Sequence, residues 1–261
     1  MLEARARWEN RADNLLVKFM SFQTQDAELK QLIDHGFLRR MHSLEEGVDF
    51  LFEQLPPQAT SANKRSIRVG TLVLQAFYIN IYGCFDNLAH IWVHKNKISK
   101  VDGTALKFND IGFSAKQTKI YGTLSKELQN YLTNLDDWFG HLKKVRHALA
   151  HKIPLYIPSK ALDDESLKQY KKLEDKGSAA LESHDIATWR KCIDRQMSLG
   201  RFHPSMVLSH SDTSEPVLFH AQVIRDFATI VEFAEKFLDD FISPDHASPI
   251  TPPAFPPAVR G

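Results

Sequence analysis

Residues 64–97, KRSIRVGTLVLQAFYINIYGCFDNLAHIWVHKNK, decide the fold. The chain is most apolar between Val69 and Val93. Gln75, Asn80, Asp86, Asn87 and His90 interrupt that stretch, more polar groups than a membrane span of ~20 apolar residues tolerates. It reads instead as one long helix, apolar almost all round, of the kind that lies at the centre of its domain. One stripe differs: Asn80, Gly83, Asn87, His90 and His94 follow one another at helical spacing, with Asp86 beside them.

Working outward toward the N-terminus, residues 2–22 form an amphipathic helix. Residues 26–55 form a second, with Leu29, Leu32, Ile33, Phe37, Leu44, Val48 and Phe52 at helical intervals and Pro56-Pro57 as its stop. On the other side, Gly103, Gly112 and Gly122 break any period over 99–125. A helix is expected over 125–152, and Pro154 and Pro158 then impose an extended IPLYIP stretch. Charged residues 163–176 and then 184–199 read as further helices. In 202–220, FHPSMVLSH and PVLFH flank the turn-forming SDTSE, a short β-hairpin. A last helix over 221–242 carries the stripe Ile224, Phe227, Val231, Ala234, Phe237, Phe241. Six prolines among the nineteen residues 243–261 mark a disordered or polyproline-like tail. The expected fold class is mainly α: an up-and-down helical bundle in one domain, residues 1–242, with extra helices and a short β-hairpin near the C-terminus.

Composition sets limits on function. Hydrophobic residues make up 43% and charged residues 25%, and the net charge is +1, so any nucleic-acid surface must be a local patch. The two cysteines, Cys84 and Cys192, stand apart with no CxxC pair, which excludes a cysteine zinc site. The charged N-terminus lacks the apolar run of a signal peptide, and a cytoplasmic protein away from membranes is the default expectation. No GxGxxG, Walker loop, HExxH or GxSxG is present. The HxxxH pairs His90/His94 and His147/His151 each share a helix face. Apart from Asp86 they have no carboxylates placed as further ligands, so no metal and no cofactor is expected.

The chemistry concentrates at the end of the 125–152 helix. Its seam runs Leu132, Leu135, Phe139, Leu142, reaches Arg146 where an apolar residue is due, and resumes at Leu149. An arginine on a buried seam must be paired or face a cleft, because an isolated buried guanidinium is costly. His151 follows five residues later, ~7.5 Å further along the axis. Arginine stabilises charge on phosphate oxygens, and histidine moves protons near neutrality, so the pair suits phosphodiester chemistry. A structural reading stays open beside it: Arg146 in a salt bridge with Asp86 or Asp137, and His151 as a helix C-cap. Trp92, Trp138 and Tyr82 read as core residues, and Lys143-Lys144 as a solvated basic edge or an RNA backbone contact.

The string Arg146-His147-Ala148-Leu149-Ala150-His151 resembles the Arg-x4-His motif of the HEPN superfamily, with His147 as the polar residue after the arginine. The elements after it resemble a larger bacterial HEPN subgroup with C-terminal additions. The resemblance implies a metal-independent endoribonuclease, of the toxin–antitoxin, defence or RNA-processing kind, working as a homodimer with two motifs at one cleft. Arg146 would then bind the scissile phosphate, and His151 would serve as general acid or base. His147 would position the cleft, and Asp86 or Asn87 would orient Arg146. An antitoxin or nucleotidyltransferase is the implied protein partner. The tyrosine that some members carry two residues after the histidine is here Ile153. The alternative implied by the same family is a non-catalytic interaction or nucleotide-binding module, with the motif closed off in salt bridges.

Overall fold

A computed structural model describes residues 1–208 and 216–243. Its helices are α1 (Leu2–Met20), α2 (Ala27–Gln31), α3 (Arg39–Gln54), α4 (Lys64–Lys95), α5 (Thr118–Tyr121), α6 (Lys126–Asn134), α7 (Asp136–His151), α8 (Asp164–Glu182), α9 (Ile186–Ser198) and α10 (Phe219–Ile242). Between α2 and α3 the helix widens into a π-helical stretch, Leu32–Leu38. The architecture is therefore mainly helical. The two-residue strands β1 (Ser205–Met206) and β2 (Val217–Leu218) pair antiparallel, Ser205 opposite Leu218 and Met206 opposite Val217. This is the expected hairpin, reduced to its root; the SDTSE turn and residues 244–261 lie outside the described residues. Among the described residues no helix is long and apolar enough to cross a membrane.

The helix expected over 125–152 is two helices. Leu135, at φ −93° and ψ 0°, ends α6, and α7 starts at the next residue. Ser125 caps α6 by accepting from Leu128 N–H at 3.1 Å. The break also resets which side chains face inward on α7.

The chain divides into two compact units, one of residues 1–6, 42–82 and 140–227, the other of residues 7–41, 83–139 and 228–261. In the first unit, Leu44, Val48, Leu51, Leu74, Phe77, Tyr78, Ile81, Val223 and Phe227 are buried. Gly70 is required by packing: a Cβ there would stand 2.5 Å from Leu55 Cδ1 and 3.2 Å from Ile157 Cδ1. The extended segment after α7 is fastened to α4 twice, by Gln75 Nε2 donating to the Leu155 carbonyl at 2.9 Å and by Ile157 N–H donating to Thr71 Oγ1 at 3.2 Å. Tyr156 bridges to Val207 on its other side.

Aromatic rings dominate the second unit. Phe85 packs on Phe139 and Phe233 at centroid distances of 4.6 and 4.5 Å, and Phe113 reaches Phe233 at 5.2 Å. Trp92 is buried and donates from Nε1 to Thr123 Oγ1 at 2.9 Å. From Gly83 onward, the polar stripe of α4 is accounted for within this unit. Arg40 lies over Gly83, where a Cβ would approach its guanidinium carbon to 2.5 Å, and donates from Nε to Asn87 Oδ1 at 2.8 Å. His90 packs on Phe108 at 5.5 Å, and His94 bonds Asp26, the N-cap of α2, at 2.8 Å.

His220 is a buried histidine of the first unit. Its Nε2 lies 3.4 Å from the Leu51 carbonyl, its ring meets Phe52 edge-on at 4.7 Å, and its Nδ1 has no partner among the described residues. Loss of hydration pushes its pKa down to about 4. The unfolded chain therefore binds a proton that the folded chain refuses between about pH 6.5 and that lowered value. The stabilisation from keeping His220 neutral is fully present above that window and is lost as pH falls through it. Thermal melting followed from pH 7 to pH 4 should show a falling Tm, and His220→Phe should flatten the slope; an identical slope in the variant would place the proton uptake elsewhere.

Candidate functional site at the end of α7

The buried face of α7 is Leu142, Val145 and Ala148. Arg146 is therefore off the seam and exposed, which corrects the expectation that it replaces a core residue. A spacing of threes and fours from Leu142 to Leu149 can pass through either 145 or 146. The structure takes Val145, the apolar choice, once the break at Leu135 has uncoupled α7 from the phase of α6. Arg146 thus needs no compensating carboxylate, and among the described residues it has none within ion-pair distance.

Its contact is aromatic. The guanidinium carbon of Arg146 sits 4.1 Å from the centroid of the Tyr82 ring, a cation–π geometry. Tyr82 is half-buried on α4, one helical turn past Ile79. Contact with a ring, unlike a bidentate carboxylate, does not consume the guanidinium N–H donors as hydrogen bonds. Sequence reasoning placed Tyr82 in the core.

His147 and His151 are both exposed, with ring centroids 5.2 Å apart, as residues one turn apart on a helix should be. His151 is the last residue of α7. The pinned segment through Leu155 and Ile157 follows directly, so the residues bounding the motif are fixed even though its side chains face solvent. Compared with protein-family models, characterised proteins and solved structures, the chain matches none.

Two residues of the expected site, Asp86 and Asn87, belong to the second unit. Asn87 accepts from Arg40; Asp86 is half-buried and engaged rather than free. Among the described residues no cluster of three or more His, Cys, Asp or Glu side chains is placed to share a metal ion.

The sequence flanking the motif is one-signed. From Trp138 to Leu162 the chain has no acidic residue and carries Lys143, Lys144, Arg146, Lys152 and Lys160. Local charge of that sign favours anions over cations at the exposed end of α7. The stack itself is open to measurement. The Arg146 side-chain proton resonances should be shifted upfield by the Tyr82 ring and return to ordinary positions in Tyr82→Leu, while Tyr82→Phe preserves the shift; resonances indifferent to both changes would rule the stack out.

Proposed function

We propose that this protein is a metal-independent endoribonuclease of HEPN type, acting as a homodimer on RNA through Arg146 and His151. The observation that carries the reading is the exposure of Arg146, His147 and His151 together, with the guanidinium on an aromatic ring instead of a carboxylate. A motif serving only as a structural salt bridge would hide these groups. The acid-free surroundings favour a phosphate-bearing substrate over a cationic or neutral one.

The step is transesterification. A histidine takes the proton from a ribose 2′-hydroxyl as its oxygen bonds to phosphorus. The bond from phosphorus to the 5′ oxygen breaks, and that oxygen takes up a proton. A 2′,3′-cyclic phosphate and a 5′-hydroxyl remain. Arg146 stabilises the charge that builds on the non-bridging oxygens, and His151 moves the proton. His147 lines the cleft beside it.

Helical geometry supports the dimer. Five residues along α7 separate Arg146 and His151 by ~7.5 Å in height and by roughly 140° about the axis. One copy presents the two groups on different sides of its helix, and two copies face to face bring an arginine and a histidine onto one phosphate. An antitoxin or a nucleotidyltransferase is the kind of protein partner that would cover such an exposed cleft.

The test is cleavage of a mixed RNA pool in EDTA. Wild type should cut, and Arg146→Ala and His151→Ala, each shown to melt like wild type, should each lose about 10²-fold or more of the rate. Equal activity in all three would move the activity away from this motif, and inert wild type would leave a binding module.

A further inference from the structure

α4 presents a second feature beside the motif. Arg65, Arg68, Leu72, Ala76 and Ile79 follow at intervals of three and four, all are exposed, and the next position of the same stripe is Tyr82, which carries Arg146. Leu72 is 63% exposed and Ile79 42%, unusual for large aliphatic side chains on a helix whose opposite side is core. They line a groove of about 370 Å³ together with Gln75, Asn80 and, from the motif itself, Leu149 and Ala150. Its amides come from Gln75, whose nitrogen is committed to the Leu155 carbonyl, and from Asn80. From Gln54 to Phe85 there is no acidic residue, so both segments that form the groove lack carboxylates.

We propose that this stripe is the binding track for a single-stranded RNA segment leading to the motif: bases rest on Leu72, Ala76 and Ile79, and phosphates run from Arg65 and Arg68 to Arg146. The ligand class follows from the pattern. A purely apolar stripe would suit another protein surface, and a purely basic one would suit any duplex backbone. Alternation of cations at the ends with an apolar floor between them fits unpaired nucleotides, whose bases have flat apolar faces and whose backbone is anionic. From Arg65 to Tyr82 the helix rises ~25 Å, room for several nucleotides. The identity of the ligand as RNA rests on the ribonuclease reading; the demand for exposed bases does not.

The test separates the two. A 2′-O-methyl oligonucleotide cannot be cut by attack of its own 2′-oxygen, so its binding is independent of catalysis. Its affinity, and that of an abasic version of the same length, are measured by fluorescence anisotropy. Wild type should prefer the base-bearing strand. The double variant Leu72→Gln/Ile79→Gln should lose about ten-fold on that strand and little on the abasic one. Arg65→Gln/Arg68→Gln should weaken both strands alike and flatten the salt dependence by one to two phosphate contacts, about 0.7 of slope each. Equal binding of both strands by wild type, or no effect of the Leu72/Ile79 pair, overturns the proposal. So does a change in sedimentation of the Leu72/Ile79 variant with RNA binding intact, which would make the stripe a face for a second copy. A chain that fails the EDTA cleavage test yet passes this one keeps the track and loses the catalysis.

Discussion

Burial of α4 is the constraint on which both units rest. Its first part gives Leu74, Phe77, Tyr78 and Ile81 to one core, and its second part gives Cys84, Phe85, Leu88, Ala89, Ile91 and Trp92 to the other. Each large apolar side chain withdrawn from water contributes on the order of 1.5–3 kcal/mol, so the helix cannot be rotated to expose these positions without losing most of the stability of a domain. What α4 leaves unburied is therefore fixed as firmly as what it buries. One leftover strip is the polar line from Asn87 to His94, satisfied by Arg40 and Asp26. The other is the exposed line from Arg65 to Ile79 that runs on to Tyr82.

Electrostatics then distinguishes the end of α7 from an ordinary helix terminus. A buried arginine would need a carboxylate, and the pair would neutralise itself. An exposed arginine on an aromatic face keeps its charge and its directional donors at small cost, because the ring replaces part of the hydration of the guanidinium. With no acidic residue over 54–85 or 138–162, nothing in the adjoining sequence competes with an incoming phosphate. The exposed imidazoles at 147 and 151 add proton-carrying groups beside it.

Much of the helical plan was legible in the sequence because it rests on period and on stop signals. The long helix at 64–97 ends within two residues of where its pattern ends, Pro56-Pro57 terminates α3, and the stripe from Ile224 to Phe241 lies in α10 with each of its residues buried or half-buried. The break at Leu135 was not legible, since leucine is a good helix former and the apolar spacing runs through it. The same ambiguity misplaced Arg146 on the seam: threes and fours fit 145 and 146 equally, and only packing selects Val145. The polar line of α4 was visible as a line, but its partners, Arg40 and Asp26, lie far off in sequence and left no local mark. Tyr82 was hidden for a related reason, as an aromatic on an apolar helix reads as core until its neighbour across the fold is known.

We propose that Arg146 and His151 break RNA by attack of a ribose 2′-oxygen. Analysis of the ends left on a cleaved RNA, alongside the same RNA with the 2′-hydroxyl at the scissile position replaced by hydrogen, tests it most directly. The account predicts 2′,3′-cyclic phosphate and 5′-hydroxyl ends, and no cut at the deoxy position. Ends bearing a 3′-hydroxyl and a 5′-phosphate, or cleavage of the deoxy linkage, would contradict it.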